Sequence, residues 1–325
     1  MQTTAQKFSI KPYLSIARFD HWVKNVFVLP GILIGIAAGG RIDSGLLFRI
    51  VIGLLAVGMI ASSNYIINEI MDEPFDRHHP TKRNRPIPSG LVSLPVAYCQ
   101  WIVFMAIGMG LSFLISAPFA ATMAVLWIMG VAYNIPPLRT KDVPYLDVTS
   151  ESINNPLRML AGWYITLTPS MPPGSLLVCY WMIGAYFMGI KRFAEYREIA
   201  NAAVAAAYRR SFAYYTEASL LVSIMFYASL AMLTFGAFLV RYRMELVLAF
   251  PLVAFVMAIY LKLAYEPNSA VQNPEYLYKE NRLILPVALC SLTLVFLLFV
   301  NVPAVYEIFS IRFSPLRSTG FALPH

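Results

Sequence analysis

Long apolar runs separated by short polar connectors recur from end to end of this sequence, and they exclude most folds before any motif is read. With no water to satisfy them, backbone N–H and C=O groups in a bilayer must bond within their own segment. An apolar run of roughly 20 residues therefore becomes a spanning helix. The runs fall at residues 26–40, 46–71, 92–115, 118–133, 148–167, 176–190, 212–240, 244–264 and 283–300. The chain has 325 residues, 58% hydrophobic and 13% charged, far from the balance of a soluble domain. The expected fold class is all-α, a multi-pass membrane bundle of about nine transmembrane helices. It forms a single membrane-embedded domain over residues 1–325, with a leader at 1–20 and a C-terminal tail at 301–325.

The run from Val26 to Gly40 looks superficially like a signal peptide ending in Ala37-Ala38-Gly39-Gly40. Trp22 and Lys24 read instead as interfacial anchors that lengthen an uncleaved first span. The formal net charge of +8 does not point to nucleic acid. The cations sit in short loops between apolar runs, so lipid headgroups and phosphorylated substrates are their natural counter-charges. Cys99, Cys179 and Cys290 all lie in apolar runs and give neither a disulfide framework nor metal spacing. The basic loops after the second, fourth, sixth and eighth runs share one side with the leader. By the positive-inside rule that side is cytoplasmic, with the N-terminus inside and the C-terminus outside, in a plasma or inner membrane.

The most informative stretch runs from Asn64 to Gly90, where an apolar run turns acidic and then basic. Asn64, Asn68 and Asp72 are four apart and stack on one helix face. Pro74 is expected to stop that helix and let Asp76 fold back toward Asp72. Oxygen ligands converging at a membrane edge suit Mg2+, which keeps positions open for substrate phosphates. Lys82, Arg83 and Arg85 follow, as a second anionic group would need. Charges also mark any membrane boundary, but Asn64 and Asn68 inside an apolar run are costly without a purpose.

Asn68-Glu69-x-x-Asp72-x-x-x-Asp76-Arg77, followed by His79-Pro80-x-Lys82-Arg83-x-Arg85-Pro86, resembles the first aspartate-rich motif of the UbiA-type intramembrane prenyltransferase superfamily. The resemblance implies a Mg2+ site at Asn68, Glu69, Asp72 and Asp76, with Glu69 standing where the family usually has Asp. Tyr133-x-x-x-Pro137-x-Arg139-x-Lys141 resembles the family's tyrosine-lysine segment, which implies phosphate contacts from Tyr133, Arg139 and Lys141; a tyrosine at a helix end is also an ordinary interfacial anchor. Asn154 and Arg158 lie inside the fifth run, where an arginine faces the bundle interior either as a site or as a brace paired with Glu151.

Where many family members carry a second aspartate-rich motif, this chain has Lys191-Arg192-Phe-Ala-Glu195-Tyr-Arg197-Glu198. A Lys-Arg pair binds phosphate without a metal. The segment resembles the decaprenyl-phosphate phosphoribosyltransferase branch, as does Val271-Gln-Asn-Pro274-Glu275-Tyr-Leu-Tyr278 less specifically. That branch implies Mg2+-dependent transfer of a 5-phosphoribosyl group from phosphoribosyl diphosphate (PRPP) to a polyprenyl phosphate, in cell envelope biosynthesis. Asn68, Asp72 and Asp76 would then act on the leaving diphosphate. Asn64, Lys82, Arg85, Tyr133, Arg139, Lys141, Asn154, Arg158, Lys191, Arg192 and Glu195 would bind substrate. The partners are the polyprenyl phosphate, PRPP and membrane lipids, with no nucleic acid; a homo-oligomer is compatible with the pattern. The alternatives are a prenyltransferase acting on an aromatic or quinone-precursor acceptor and a transporter, the latter disfavoured by the absence of an evident repeat.

Overall fold

The computed structural model describes residues 10–77, 82–199, 201–272, 277 and 279–309. His78 and His79, to which the sequence assigns no role, and residues 273–276 and 278 of the late branch-like segment lie outside them, as does the chain beyond residue 309.

The described residues form helices and no strand. In chain order these are α1 (Lys11–Ile16), α2 (Leu29–Ala37), α3 (Leu46–Asp76), α4 (Leu94–Phe113), α5 (Ala117–Asn134), α6 (Leu146–Ser152), α7 (Asn154–Ile165), α8 (Gly174–Ile199), α9 (Ala202–Tyr208), α10 (Glu217–Tyr242), α11 (Phe250–Leu263), α12 (Asn281–Phe299) and α13 (Pro303–Phe309). Among the described residues, eight helical stretches are long and apolar enough to cross a membrane.

Helix ends follow local chemistry. Pro95 and Pro118 occupy first-turn positions, where a missing N–H costs nothing, and the Ser116 hydroxyl accepts from Phe119 N at 3.3 Å. Thr216 and Ser219 form a reciprocal capping box at the start of α10.

Two expectations are corrected. The fifth run is not one span but the broken pair α6–α7. Pro156 cannot donate to the Ser152 carbonyl, so α6 stops there and a new helix begins at Asn154. The helix does not stop at Pro74 either. It continues to Asp76, because a proline near a helix end removes a single bond, and Arg77 N still bonds Glu73 O at 3.1 Å.

Two apolar clusters organise the bundle. One gathers Val57, Ile60, Phe119, Leu126 and Ile165 from α3, α5 and α7; the other gathers Tyr186, Phe193, Leu220, Ile224 and Tyr260 from α8, α10 and α11. Where α2 crosses α7 the backbones touch, and a methyl group on Gly31 or Gly162 would overlap the Met159 or Val28 carbonyl. The pair α6–α7 thus sits between the two clusters, with polar residues of four helices converging around it.

Candidate active site at the polar rim and its cavity

Asn64, Asn68, Asp72 and Asp76 ride on the last three turns of α3. Asn64 Nδ2 donates to the Leu126 carbonyl at 3.0 Å, while its Oδ1 is buried without a hydrogen-bond partner. Room for that amide exists only because residue 130 is glycine; a Cβ there would overlap it. One turn on, Asn68 Nδ2 donates to Asn134 Oδ1 at 2.6 Å. Lys141 Nζ reaches Asp72 Oδ1 at 2.5 Å and Asn134 Oδ1 at 3.0 Å. Arg139 Nη2 donates to the same Asp72 oxygen at 3.0 Å, and its Nε holds Asp142 at 3.0 Å. Burial pushes the Lys141 ammonium down to about 8, with the Asp72 carboxylate opposing the shift.

Asp76 is buried and accepts from Arg85 Nη1 at 2.7 Å. Lys82 lies 4.6 Å over the Tyr208 ring, and burial lowers its ammonium pKa against the pull of Asp76. Arg85, expected to serve a second anionic group, thus sits on Asp76, as Arg139 and Lys141 sit on Asp72.

Three expectations need correction. Glu69 turns away from the donor set and accepts from Ile87 N at 3.1 Å, fastening the loop after α3. Its longer arm serves that loop. The Tyr133 hydroxyl donates to Glu151 Oε2 at 2.8 Å, so that proton is committed to a carboxylate. Arg192 is 2% exposed and enclosed by carboxylates: Glu151 at 2.8 Å, Glu195 at 3.0 Å and Asp147 at 3.4 Å. Such a guanidinium is a brace: Nη1 donates to Glu195 and Nη2 to Glu151, and its Nε is buried. Glu195 is likewise used by Arg192.

Sequence reasoning missed Asp147. It is fully buried and accepts from Tyr215 Oη at 2.7 Å, Ser211 Oγ at 3.1 Å and Arg209 Nη1 at 3.2 Å. These bonds tie the connector after α8 to α6. Asp147 directly precedes the fifth apolar run, where a carboxylate reads as an ordinary boundary charge.

Beside this rim opens a cavity of about 740 Å3. Asn64, Asn154, Arg158 and Lys191 line it together with Glu151, so four of the expected site residues meet in one space. Lys191 is only loosely paired, 3.9 Å from Glu195. Glu151 and Arg158 form no ion pair among the described residues, because Glu151 is taken by Arg192 and the break at Ile153 separates the two helices. Lys24, read from the sequence as an interfacial anchor, also faces the cavity, together with Tyr65, Tyr180 and Tyr260. The remaining wall is apolar, built by Phe27, Phe187, Val256 and Val287 among others.

Among the described residues no three His, Cys, Asp or Glu side chains gather as a metal cluster. A cation here would need the amides as well as the carboxylates. Asn64, whose buried Oδ1 has no partner, together with Asn68, Asp72 and Asp76, is an all-oxygen set suited to a hard divalent ion.

A family model described as the UbiA prenyltransferase family matches residues 25–281. Decaprenyl-phosphate phosphoribosyltransferase of Mycobacterium tuberculosis is 31% identical over 176 residues, 54% of this chain and 56% of that protein. Digeranylgeranylglyceryl phosphate synthase of Saccharolobus solfataricus is 31% identical over 128 residues, 38% of this chain and 42% of that protein. The chain thus spans about half the length of these curated relatives. A UbiA homolog from Archaeoglobus fulgidus bound to GPP and Mg2+ superposes with a TM-score of 0.67 at 21% identity, covering 91% of this chain and 99% of that one. At that identity the likeness is one of fold.

Proposed function

This chain belongs to the UbiA prenyltransferase family, integral membrane transferases, and from that premise we propose that it moves a 5-phosphoribosyl group from PRPP to a polyprenyl phosphate, releasing diphosphate. The observation that carries the choice is the Arg192 cluster. Three carboxylates near the Lys191 segment, Asp147, Glu151 and Glu195, are already engaged by Arg192, with Arg209 also on Asp147 and Lys191 3.9 Å from Glu195. Among the described residues these carboxylates face the protein's own cations and do not gather as a second metal cluster. Cations, led by the loosely held Lys191, face the cavity instead. The 31% identity to a decaprenyl-phosphate phosphoribosyltransferase supports the same choice.

Breaking the anomeric bond builds negative charge on the leaving diphosphate. Asn64, Asn68, Asp72 and Asp76 would hold Mg2+, which when bound supplies electrostatic stabilisation to that charge. Lys141 and Arg139, which pair with Asp72 at 2.5 and 3.0 Å, would turn to diphosphate oxygens when the donor binds. Lys82 and Arg85 flank Asp76 from the other side. Tyr133 and Arg192 keep Glu151 and the α8 end in place rather than touching substrate. The nucleophile is a phosphate oxygen whose second pKa is about 6, so it is largely ionised near neutrality and no strong general base is required. The rim would face the cytoplasm, where phosphorylated donors are made.

The second reading is prenyl transfer to another acceptor, favoured by the apolar cavity wall and by the likeness to digeranylgeranylglyceryl phosphate synthase. Diphosphate release by the purified full chain separates the two. We expect release with PRPP and a polyprenyl phosphate. Release with a prenyl diphosphate and an aromatic acceptor, the ribose donor being ignored, sinks the phosphoribosyl reading.

A further inference from the structure

Arg158 is 7% exposed, sits about two helical turns inside the rim from Glu151, and has no hydrogen bond or ion pair among the described residues. Its Nε is buried without a partner, and the residue lines the cavity. An unpaired charge in an apolar bundle is among the costliest features a membrane protein can keep. The adjacent amide is in the same condition: Asn154 Oδ1 is buried without a partner, one turn nearer the rim on the same face. The floor is built to present these groups. Asn155 packs against Gly184, where any Cβ would overlap its amide, so α7 and α8 lie close at this level. Because helical side chains lean toward their own N-terminus, Arg158 on α7 leans toward the rim, and Lys191 on the antiparallel α8 leans inward.

We propose that Arg158, with Asn154 beside it and Lys191 above it, forms a second anion subsite that takes a phosphomonoester, separate from the diphosphate held at the Asp72 rim. The choice of a phosphomonoester rests on the transferase reading given above; the demand for an anion rests on Arg158 itself. The site's charge favours it: the cavity wall carries Lys24, Arg158 and Lys191 against a single carboxylate, Glu151, which Arg192 contacts at 2.8 Å. A planar guanidinium offers two parallel donors to two phosphate oxygens, which an ammonium cannot. The apolar wall around it, including Phe27, Phe187 and Val287, accommodates a lipid carrying that head as readily as the edge of a sugar phosphate.

The test uses the full chain in nanodiscs and four probes: farnesyl monophosphate, ribose 5-phosphate, and farnesol and ribose as their unphosphorylated controls. One monoester is expected to bind in the presence of saturating inorganic diphosphate and Mg2+, and its control is not. Arg158→Met, which removes charge while keeping a long apolar side chain, is expected to weaken that monoester roughly tenfold or more and leave inorganic diphosphate binding unchanged. Arg158→Lys is expected to recover part of the loss. Loss confined to farnesyl monophosphate identifies a lipid head, and loss confined to ribose 5-phosphate identifies the sugar's phosphate; either supports the subsite. Displacement of both monoesters by inorganic diphosphate, binding of neither, or unchanged binding of both in a folded Arg158→Met variant overturns it. The competition experiment needs no variant and stands even where Arg158→Met fails to fold. Absence of turnover with PRPP, alongside Arg158-dependent monoester binding, would remove the reaction and leave the subsite.

Discussion

Asp72 and Arg192 are both surrounded by opposite charge, yet they are expected to fail in different ways. Asp72 is partly open at the rim, with Lys141 and Arg139 on one oxygen. Asp72→Ala should abolish turnover while costing about 1–3 kcal/mol of stability, between the exposed and buried limits for ion pairs. Turnover and thermal unfolding of the same preparation check this, and near-normal turnover would remove Asp72 from the chemistry. Arg192 is the reverse case, because its loss strands Asp147, Glu151 and Glu195 in the interior. Arg192→Met should cost about 3–5 kcal/mol in unfolding free energy. A variant of wild-type stability with weakened phosphate binding would restore the ligand role that the sequence suggested. Residue identities in the acidic ladder were legible because helical spacing is local. What Arg192 touches was legible only for Glu195, three positions on; its other two partners lie 41 and 45 positions away, and no periodicity reports a contact of that range.

At the scale of elements, the site depends on how closely α8 approaches α7 and α5 approaches α3. Gly184→Ala would drive a methyl group into the Asn155 amide. The expected cost is about 1–3 kcal/mol of overpacking, with a larger loss in substrate affinity than in maximal rate, because the cavity floor moves while the rim stays. Steady-state kinetics on a folded variant decide it; a change in rate alone would argue against the floor as a binding element. The span pattern itself was readable from hydropathy, and eight stretches bear it out. The fifth was misread as continuous. Pro156 was visible, but an apolar run continuing past it outweighed the single missing N–H. That break also frees Glu151 from the helix of Arg158, so one pairs with Arg192 and the other faces the cavity.

For the molecule as a whole, a cation-lined cavity beside a rim of oxygen donors implies that divalent-ion dependence belongs to function and not to folding. Chelation should stop turnover, leave the thermal transition unchanged to within about 1 kcal/mol, and be reversed by added Mg2+. An unfolded apo protein would show that the ladder of α3 is a structural metal site instead. Lys24 shows why whole-molecule placement escaped the sequence: a lysine beside a tryptophan at a span's edge reads as an anchor, and only packing turns it inward. The most direct test of the proposed reaction follows the label and not the rate. PRPP carrying radiolabel in its 5-phosphate is incubated with the purified full chain, Mg2+ and a polyprenyl phosphate, and the mixture is extracted into organic solvent. The label is expected in the lipid phase, dependent on both the acceptor and Asp72; label that stays in the aqueous phase while a prenyl diphosphate is consumed would contradict phosphoribosyl transfer.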